Sequence, residues 1–345
     1  MKNRNINIDL VKCIAVFCVI SVHFFLNNGF YDKEVVNLNM YLGVFFRTLF
    51  MICVPLFLIT TGYLMNNKKI SKKYYLGINR VLIIYLLDAI MYLGYQTLYY
   101  KESFSLKHII KCILNFDIGY SWYIEMYLGL FILIPFINLI YNNLNSKKEK
   151  QLLILTMLAL TSFQGIFNIK YNLIPDWWIN IYPLTYYFIG CYLKEYQIKM
   201  KKHNNILLFI FVLFISSIIN ISVSKESTFV WGIHNGWESI FNVLTSSLIF
   251  ILIINLNLEK LNKNIKKIII KISELSLGMY LASAIVDNFI YNIYFKEINL
   301  LNFQGYFKVV PLVIILSISL SMIINIIYKI INKYIVNNLT NIFIK

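Results

Sequence analysis

Long apolar runs alternate with short polar segments along the whole chain. An apolar helix of about 18 residues or more is long enough to cross about 30 Å of hydrocarbon. We count ten such runs, with approximate limits 8–29, 42–65, 76–98, 121–141, 151–168, 178–196, 204–223, 239–257, 274–295 and 307–331. The fifth run is short and the sixth contains Pro183, so these two depart most from the pattern. The sequence therefore predicts an all-α fold: a polytopic integral membrane protein of about ten transmembrane helices, forming one domain over residues 1–345.

Basic residues are concentrated in alternate loops. With ten spans, the N-terminus and every even-numbered loop lie on one side of the membrane and hold 23 of the 32 basic residues. The positive-inside rule makes this side cytoplasmic, so both termini are predicted to be cytoplasmic. The net charge of +16 is then mostly a topology signal, and no folded basic domain is left to bind nucleic acid. We expect a multi-pass membrane protein surrounded by the lipid bilayer.

The first run carries a polar stripe. Asp9, Lys12, His23 and Asn27 are separated by 3, 11 and 4 residues, spacings that return them to roughly one face of a helix. Placing an ionisable side chain in the hydrocarbon of a membrane costs a few kcal/mol of free energy. Such residues are rare in membrane spans unless they have a function, so His23 is a candidate functional residue. A histidine beside a carboxylate suits general acid-base chemistry near neutral pH.

Other ionisable side chains lie within the predicted spans. His23, Arg47, Glu125 and Asp287 are at similar depths in the outer half, while Asp88 is near mid-membrane. The first four could converge in one cavity. The alternative is a structural ion pair, such as Arg47 with Glu125, with Asp287 at a wet interface. The histidine and cysteine residues show no metal-ligand spacing, so no metal is expected.

Six short motifs are spread over nearly the whole chain. They are Asp9-x-x-Lys12-x-x-Ala15-x-x-x-Val19-x-x-x-His23, Val54-Pro55-Leu-Phe-Leu-Ile-Thr-Thr61-Gly62-Tyr63-Leu64, Arg80 at the start of the third run, Trp122-Tyr123-Ile-Glu125, Tyr187-Phe-Ile-Gly190 and Ser276-Leu-Gly278-Met-Tyr280-Leu281. Together with ten spans, they resemble the membrane acyltransferase family 3. Members of that family O-acylate glycans of the cell envelope with a cytoplasmic acyl-CoA.

The chain departs from the family pattern at three places. Lys12 stands where the family has arginine, and Gly77-Ile-Asn-Arg80 keeps only one arginine of an Arg-x-x-Arg pair. Tyr280-Leu-Ala-Ser283 lacks the histidine that usually ends this motif. Lysine does not have the bidentate fork of arginine, so these changes bear mainly on how the donor is bound.

The resemblance implies an integral O-acyltransferase of a bacterial plasma membrane, with acetyl as the expected acyl group. The donor would be acetyl-CoA or another acyl-CoA, and the acceptor a sugar hydroxyl of an envelope or exported glycan, or of a lipid-linked sugar. By this resemblance the catalytic residues would be His23, Glu125 and Asp9; the donor phosphates would meet Lys12, Lys72, Lys73 and Arg80; and the acceptor would meet Arg47, Trp122, Tyr123 and Asp287. His23 would be the general base, and Glu125 would orient it or bind the acceptor.

Two other functions remain open on the residues alone. The scaffold could belong to a non-enzymatic transporter or exporter of a polysaccharide or small solute, with the buried charges lining its path. It could also be a structural partner in a glycan-assembly complex, in which these charges only hold helices together.

Overall fold

The computed structural model describes residues 4–168, 171–294 and 303–336, and 77% of the structure is helix. In chain order the helices are α1 (Ile6–Asn27), α2 (Leu38–Phe50), α3 (Cys53–Met65), α4 (Lys72–Leu76), α5 (Asn79–Tyr100), α6 (Leu106–Leu114), α7 (Trp122–Asn142), α8 (Lys147–Thr161), α9 (Gln164–Phe167), α10 (Tyr182–Tyr196), α11 (Lys202–Ser224), α12 (Ile240–Ile254), α13 (Lys263–Tyr294) and α14 (Phe303–Ile331). Over these ranges the only strand-like pairing is two isolated bridges between residues 34–35 and 225–228. The predicted all-α fold is confirmed.

Each predicted apolar run contains a helix, but the helices differ in length. Seven segments of the described chain are long and apolar enough to cross a membrane. The other three runs form α8, α10 and α12, each of 15 residues. At about 1.5 Å per residue, such a helix spans about 22 Å, less than the hydrocarbon thickness. The total of ten spans and the cytoplasmic position of both termini therefore stay predictions.

Proline explains where two of the runs are interrupted. Pro55 has no N–H, and its ring would clash with the carbonyl four residues earlier in a continuous helix. The second run accordingly breaks at Met51 and Ile52, and Pro55 lies in the first turn of α3, where its missing N–H has no helical partner to lose. In the same way, α10 starts at Tyr182 and places Pro183 in its first turn.

Two glycines bring α3 and α10 into close contact. A Cβ atom added to Gly62 would clash with the carbonyl of Tyr187, and one added to Gly190 would clash with the carbonyl of Ile59. Small residues allow helix backbones to approach closely within a membrane, where little hydrophobic force draws helices together. This crossing fixes α3, which contributes one wall of the pocket described below.

Helix α1 occupies the centre of the bundle and packs against α2, α3, α12, α13 and α14. Its first turn is tied to the end of α12, because the Asn7 amide donates to the carbonyls of Ile253 and Leu256, both at 2.8 Å. We call the end of the bundle that holds the start of α1 the inner end, which the charge rule predicts to be cytoplasmic, and the opposite end the outer end. His23 lies in the outer half of α1.

Candidate active site

His23 and Asp287 form a buried acid-base pair between α1 and α13. The Nδ1 atom of His23 lies 3.6 Å from Oδ2 of Asp287, within ion-pair range but beyond hydrogen-bond length. Their relative exposures are 6% and 1%. Neither Nδ1 of His23 nor Oδ1 of Asp287 has a hydrogen-bond partner. Because Nδ1 faces the carboxylate, Nε2 is the imidazole atom left to meet reactants.

Tyr120 and Asn27 hold this pair in place. The Tyr120 hydroxyl donates to Oδ2 of Asp287 at 3.0 Å, and its ring lies against the His23 ring with a centroid separation of 3.8 Å. The Asn27 amide donates to the Tyr120 hydroxyl at 3.1 Å and to the His23 carbonyl at 2.8 Å. Burial and the negative charge of Asp287 raise the pKa of Tyr120, so its hydroxyl stays a donor to the carboxylate. We call these four residues the His23 cluster.

The structure brings together only two of the four residues that were placed at similar depth. Asp287, expected at the acceptor, is the residue beside His23. Glu125, expected to orient His23 or to bind the acceptor, is exposed on α7, and no ion pair joins it to His23 or Arg47 in the described ranges. Convergence of all four residues in one cavity is therefore corrected, and the alternative ion pair between Arg47 and Glu125, both in the described part of the chain, is not formed either. Depth alone does not say which face of a helix carries a residue.

A pocket of 460 Å³ opens between α1, α3, α5, α7 and α13. Lys12 and Lys68 line it near the inner end, while Val19, Tyr123 and Tyr280 line its deep end. We call it the central pocket. Its walls are mostly apolar, with hydroxyl groups from Thr60, Thr61 and Ser276. The Thr60 hydroxyl is buried without a hydrogen-bond partner.

The central pocket ends one helical turn from the His23 cluster. Val19 precedes His23 by one turn of α1, a rise of about 6 Å. The Tyr280 hydroxyl donates to the backbone carbonyl of Tyr120, whose ring covers His23. The two tyrosines thus separate the pocket from the imidazole, and a molecule entering from the inner end would meet this boundary first.

Asp9, expected among the catalytic residues, lies far from His23. It precedes His23 by about four turns of α1, or about 21 Å. Its carboxylate accepts hydrogen bonds from Arg4 at 2.7 and 2.9 Å and from the Ser273 hydroxyl at 2.6 Å. Arg4 also pairs with Glu274, so Asp9 helps to fasten the start of α1 to α13.

Of the four residues expected to bind donor phosphates, only Lys12 lines the central pocket. Lys72 and Lys73 are exposed in α4. Arg80 donates to the carbonyl of Glu274 at 3.1 Å and lies 5.8 Å from the ring centroid of Tyr328, on the side of α13 and α14. The basic group that joins Lys12 instead is Lys68, which sequence reasoning counted only as a topology signal.

Arg47 lies in an aromatic cage under the outer loop 225–239. Its guanidinium is fully buried, with its central carbon 4.7 Å from the Phe229 ring centroid and 4.6 Å from that of Trp231. It donates to the Asn235 carbonyl at 2.9 Å and to the Tyr31 hydroxyl at 3.3 Å. These contacts fold the outer loop over α2, so Arg47 organises the loop at the outer end.

The same loop contacts α7 near the His23 cluster. Trp122, expected at the acceptor, stacks on Trp237 with a centroid separation of 4.5 Å. Tyr123, also expected there, lines the central pocket instead. Burial raises the pKa of Glu238, and burial together with the Arg47 charge lowers the pKa of His234. The outer loop therefore combines aromatic rings with an acid and a base whose charged forms are disfavoured by burial.

A family model described as an acyltransferase domain matches residues 5–326, nearly the entire chain. No curated protein and no solved structure matches the chain. Within the described ranges, no group of three or more His, Cys, Asp or Glu side chains is placed to hold a metal ion. The match favours the enzymatic interpretation over the transport alternative.

Proposed function

The chain belongs to acyltransferase family 3, and from this membership we propose that it moves an acyl group, expected to be acetyl, from acyl-CoA to a sugar hydroxyl of an envelope or exported glycan. The protein is a membrane acyltransferase. Within this function, the identity of the donor, the identity of the acceptor and the location in a bacterial plasma membrane are proposals. The observation that carries them is the arrangement of a buried His23–Asp287 pair one helical turn beyond a pocket that opens at two lysines.

The central pocket suits the donor. Its apolar wall can hold a flexible thioester-bearing arm, and the threonine and serine side chains along that wall are polar groups to which the amide groups of the arm could hydrogen-bond. Lys12 and Lys68 at the inner end would attract an anionic head. The thioester would then lie close to Tyr280, and a shift of Tyr120 and Tyr280 would admit it to His23.

The acceptor is proposed to arrive from the outer end. The stacked pair of Trp122 and Trp237 forms an aromatic wall near the His23 cluster, and the outer edge of such a wall can pack against the apolar face of a sugar ring. This arrangement would bring the hydroxyl to His23 from the outer end, where it would meet the thioester that arrives from the inner end.

His23 would act as general base. Its Nε2 atom accepts the proton of the sugar hydroxyl as that oxygen attacks the thioester carbonyl carbon. The new C–O bond forms, the C–S bond breaks, and the imidazolium returns its proton to the departing sulfur. Asp287 stabilises the imidazolium between these two steps, since its carboxylate faces Nδ1.

Mass analysis of envelope glycans tests this function. We expect cells that express the wild-type chain to carry sugars with an added acyl mass, and cells that express His23→Ala at the same membrane level to lack them. Glycans of identical mass with the wild-type chain and with no chain would contradict the proposal.

A further inference from the structure

Two pockets of opposite character meet at the inner end. Beside the central pocket lies a second one of 260 Å³, which we call the polar pocket, lined by Tyr63, Leu64, Asn66, Asn67, Lys68 and Lys194. Leu64 and Lys68 line both. The two pockets therefore adjoin at these side chains, and one elongated molecule could occupy both.

The two lysines of the polar pocket carry charge that no neighbour neutralises. Among the described residues, no carboxylate lies within 4.0 Å of the ammonium group of Lys68 or Lys194. The carboxylate next in sequence, Glu195, is engaged by the Lys150 ammonium at 2.7 and 2.9 Å. The Lys194 ammonium lies 4.8 Å from the ring centroid of Tyr63, which holds it over the pocket. Two uncompensated ammonium groups at one pocket favour an anion.

The loop that carries Lys68 is fixed without any ligand. The amide of Asn138, which is 2% exposed, donates to the carbonyls of Met65 and Lys68 at 2.8 and 2.9 Å. The Tyr187 hydroxyl in turn donates to the Asn138 carbonyl oxygen at 2.7 Å. This buried chain of hydrogen bonds holds the backbone of Lys68 at the junction of the pockets, so the site needs little ordering when it binds.

We propose that the polar pocket holds the phosphate-bearing nucleotide head of the acyl donor, with Lys68 and Lys194 on its phosphate groups. The acyl-bearing arm then passes Leu64 into the central pocket and towards His23. Charge-assisted bonds from lysine to phosphate supply the affinity, while Asn66 and Asn67 offer amide groups to the rest of the head. The inference rests on the proposed function, because it takes the donor to be acyl-CoA. In this arrangement the nucleotide head does not contact Lys72, Lys73 or Arg80, which line neither pocket.

Binding of coenzyme A to the purified full chain in detergent, measured by calorimetry, tests this site. We expect Lys68→Ala and Lys194→Ala each to raise Kd about tenfold, the loss of one exposed charge-assisted contact. Lys68→Gln should behave like Lys68→Ala. Lys199→Ala, an exposed lysine beyond the end of α10 that lines neither pocket, should leave Kd within about twofold. Pantetheine, which lacks the phosphates, should bind equally to all of these variants.

Three outcomes would overturn the inference, and they can be told apart. Wild-type chain that does not bind coenzyme A would remove the proposed function together with this site. Binding that is weakened by Lys73→Ala but not by Lys68→Ala or Lys194→Ala would place the head elsewhere and leave the function standing. The third outcome concerns the double variant Lys68→Ala, Lys194→Ala. If it binds coenzyme A like wild type but loses co-purified phosphatidylglycerol in native mass spectrometry, the pocket binds a lipid headgroup.

Discussion

Replacing Asp287 with asparagine removes a buried charge while keeping the shape of the side chain. The amide oxygen can still accept the Tyr120 hydrogen bond of 3.0 Å, and Asp287 does not line the central pocket. Burial of an ionised carboxylate is costly, so the neutral amide should leave the folded protein at least as stable. The substitution therefore isolates the effect of the carboxylate on His23.

The size of that effect follows from the geometry. Unit charges 3.6 Å apart attract by about 4–5 kcal/mol at an effective dielectric constant of about 20. This stabilisation exists only when His23 is protonated, that is, during the transfer. We therefore expect kcat to fall by a factor of about 10³, within the range of about 10²–10⁴ that a general base contributes. KM for acetyl-CoA should stay within about twofold, because donor contacts are unchanged.

Membrane vesicles with their cytoplasmic face outward allow this assay. Radiolabelled acetyl-CoA is added, and label incorporated into the glycan fraction is followed for Asp287→Asn and for Glu125→Gln, an exposed acid in a predicted span. Equal membrane levels and equal melting temperatures of the purified chains serve as the folding control. Asp287→Asn with kcat within about threefold of wild type would refute the reasoning, and so would a Glu125→Gln variant that loses as much activity.

Three further experiments test the fold and the topology. Gly190→Ala should destabilise the purified chain by about 1–3 kcal/mol, because its methyl group would overlap a carbonyl of α3. Gly129→Ala is the control, since its methyl group would meet nothing within 4 Å. Equal melting temperatures of the two variants would contradict the close crossing of α3 and α10. Arg47→Lys should loosen the outer loop at a cost of about 2 kcal/mol, since lysine lacks the planar fork held between two rings; tryptophan fluorescence that matches wild type would count against the cage. In a chain otherwise free of cysteine, an impermeant thiol reagent added outside cells should label cysteine at His234 but not at Lys69, and the reverse would overturn the predicted topology.

Hydropathy and spacing in the sequence were enough to predict the helical fold and the candidate base. Apolar periodicity reports burial locally, so each predicted run contains a helix, and the stripe on α1 marked His23. The family resemblance, carried by short motifs in order, is confirmed by the family match. The short helices α8, α10 and α12 were not predicted at their true lengths. Ser162 ends α8 and Asn255 ends α12, and these capping contacts are not visible in average hydropathy.

The partners of the candidate residues could not be read from the sequence. Depth along a helix follows from counting residues, but the direction in which a side chain points around the bundle depends on how the helices pack. Glu125 thus lies at the depth of His23 but on a helix face that points away from it. Asp287 lies at the same depth and on a face that points towards His23. Tyr120 lies in a loop and carries no charge near neutral pH, so neither periodicity nor titration chemistry marked it. Arg47 finds aromatic rings because a distant loop folds over it.

The most direct test of the general-base role is single-turnover acyl transfer by His23→Gln in the same vesicles. Glutamine keeps hydrogen-bonding groups at this position but cannot exchange a proton near neutral pH. We expect the variant to insert and to bind coenzyme A like wild type, and to transfer radiolabelled acetyl to the glycan fraction at least about 10² times more slowly. Transfer at a rate near that of wild type would contradict the assignment of His23 as the base.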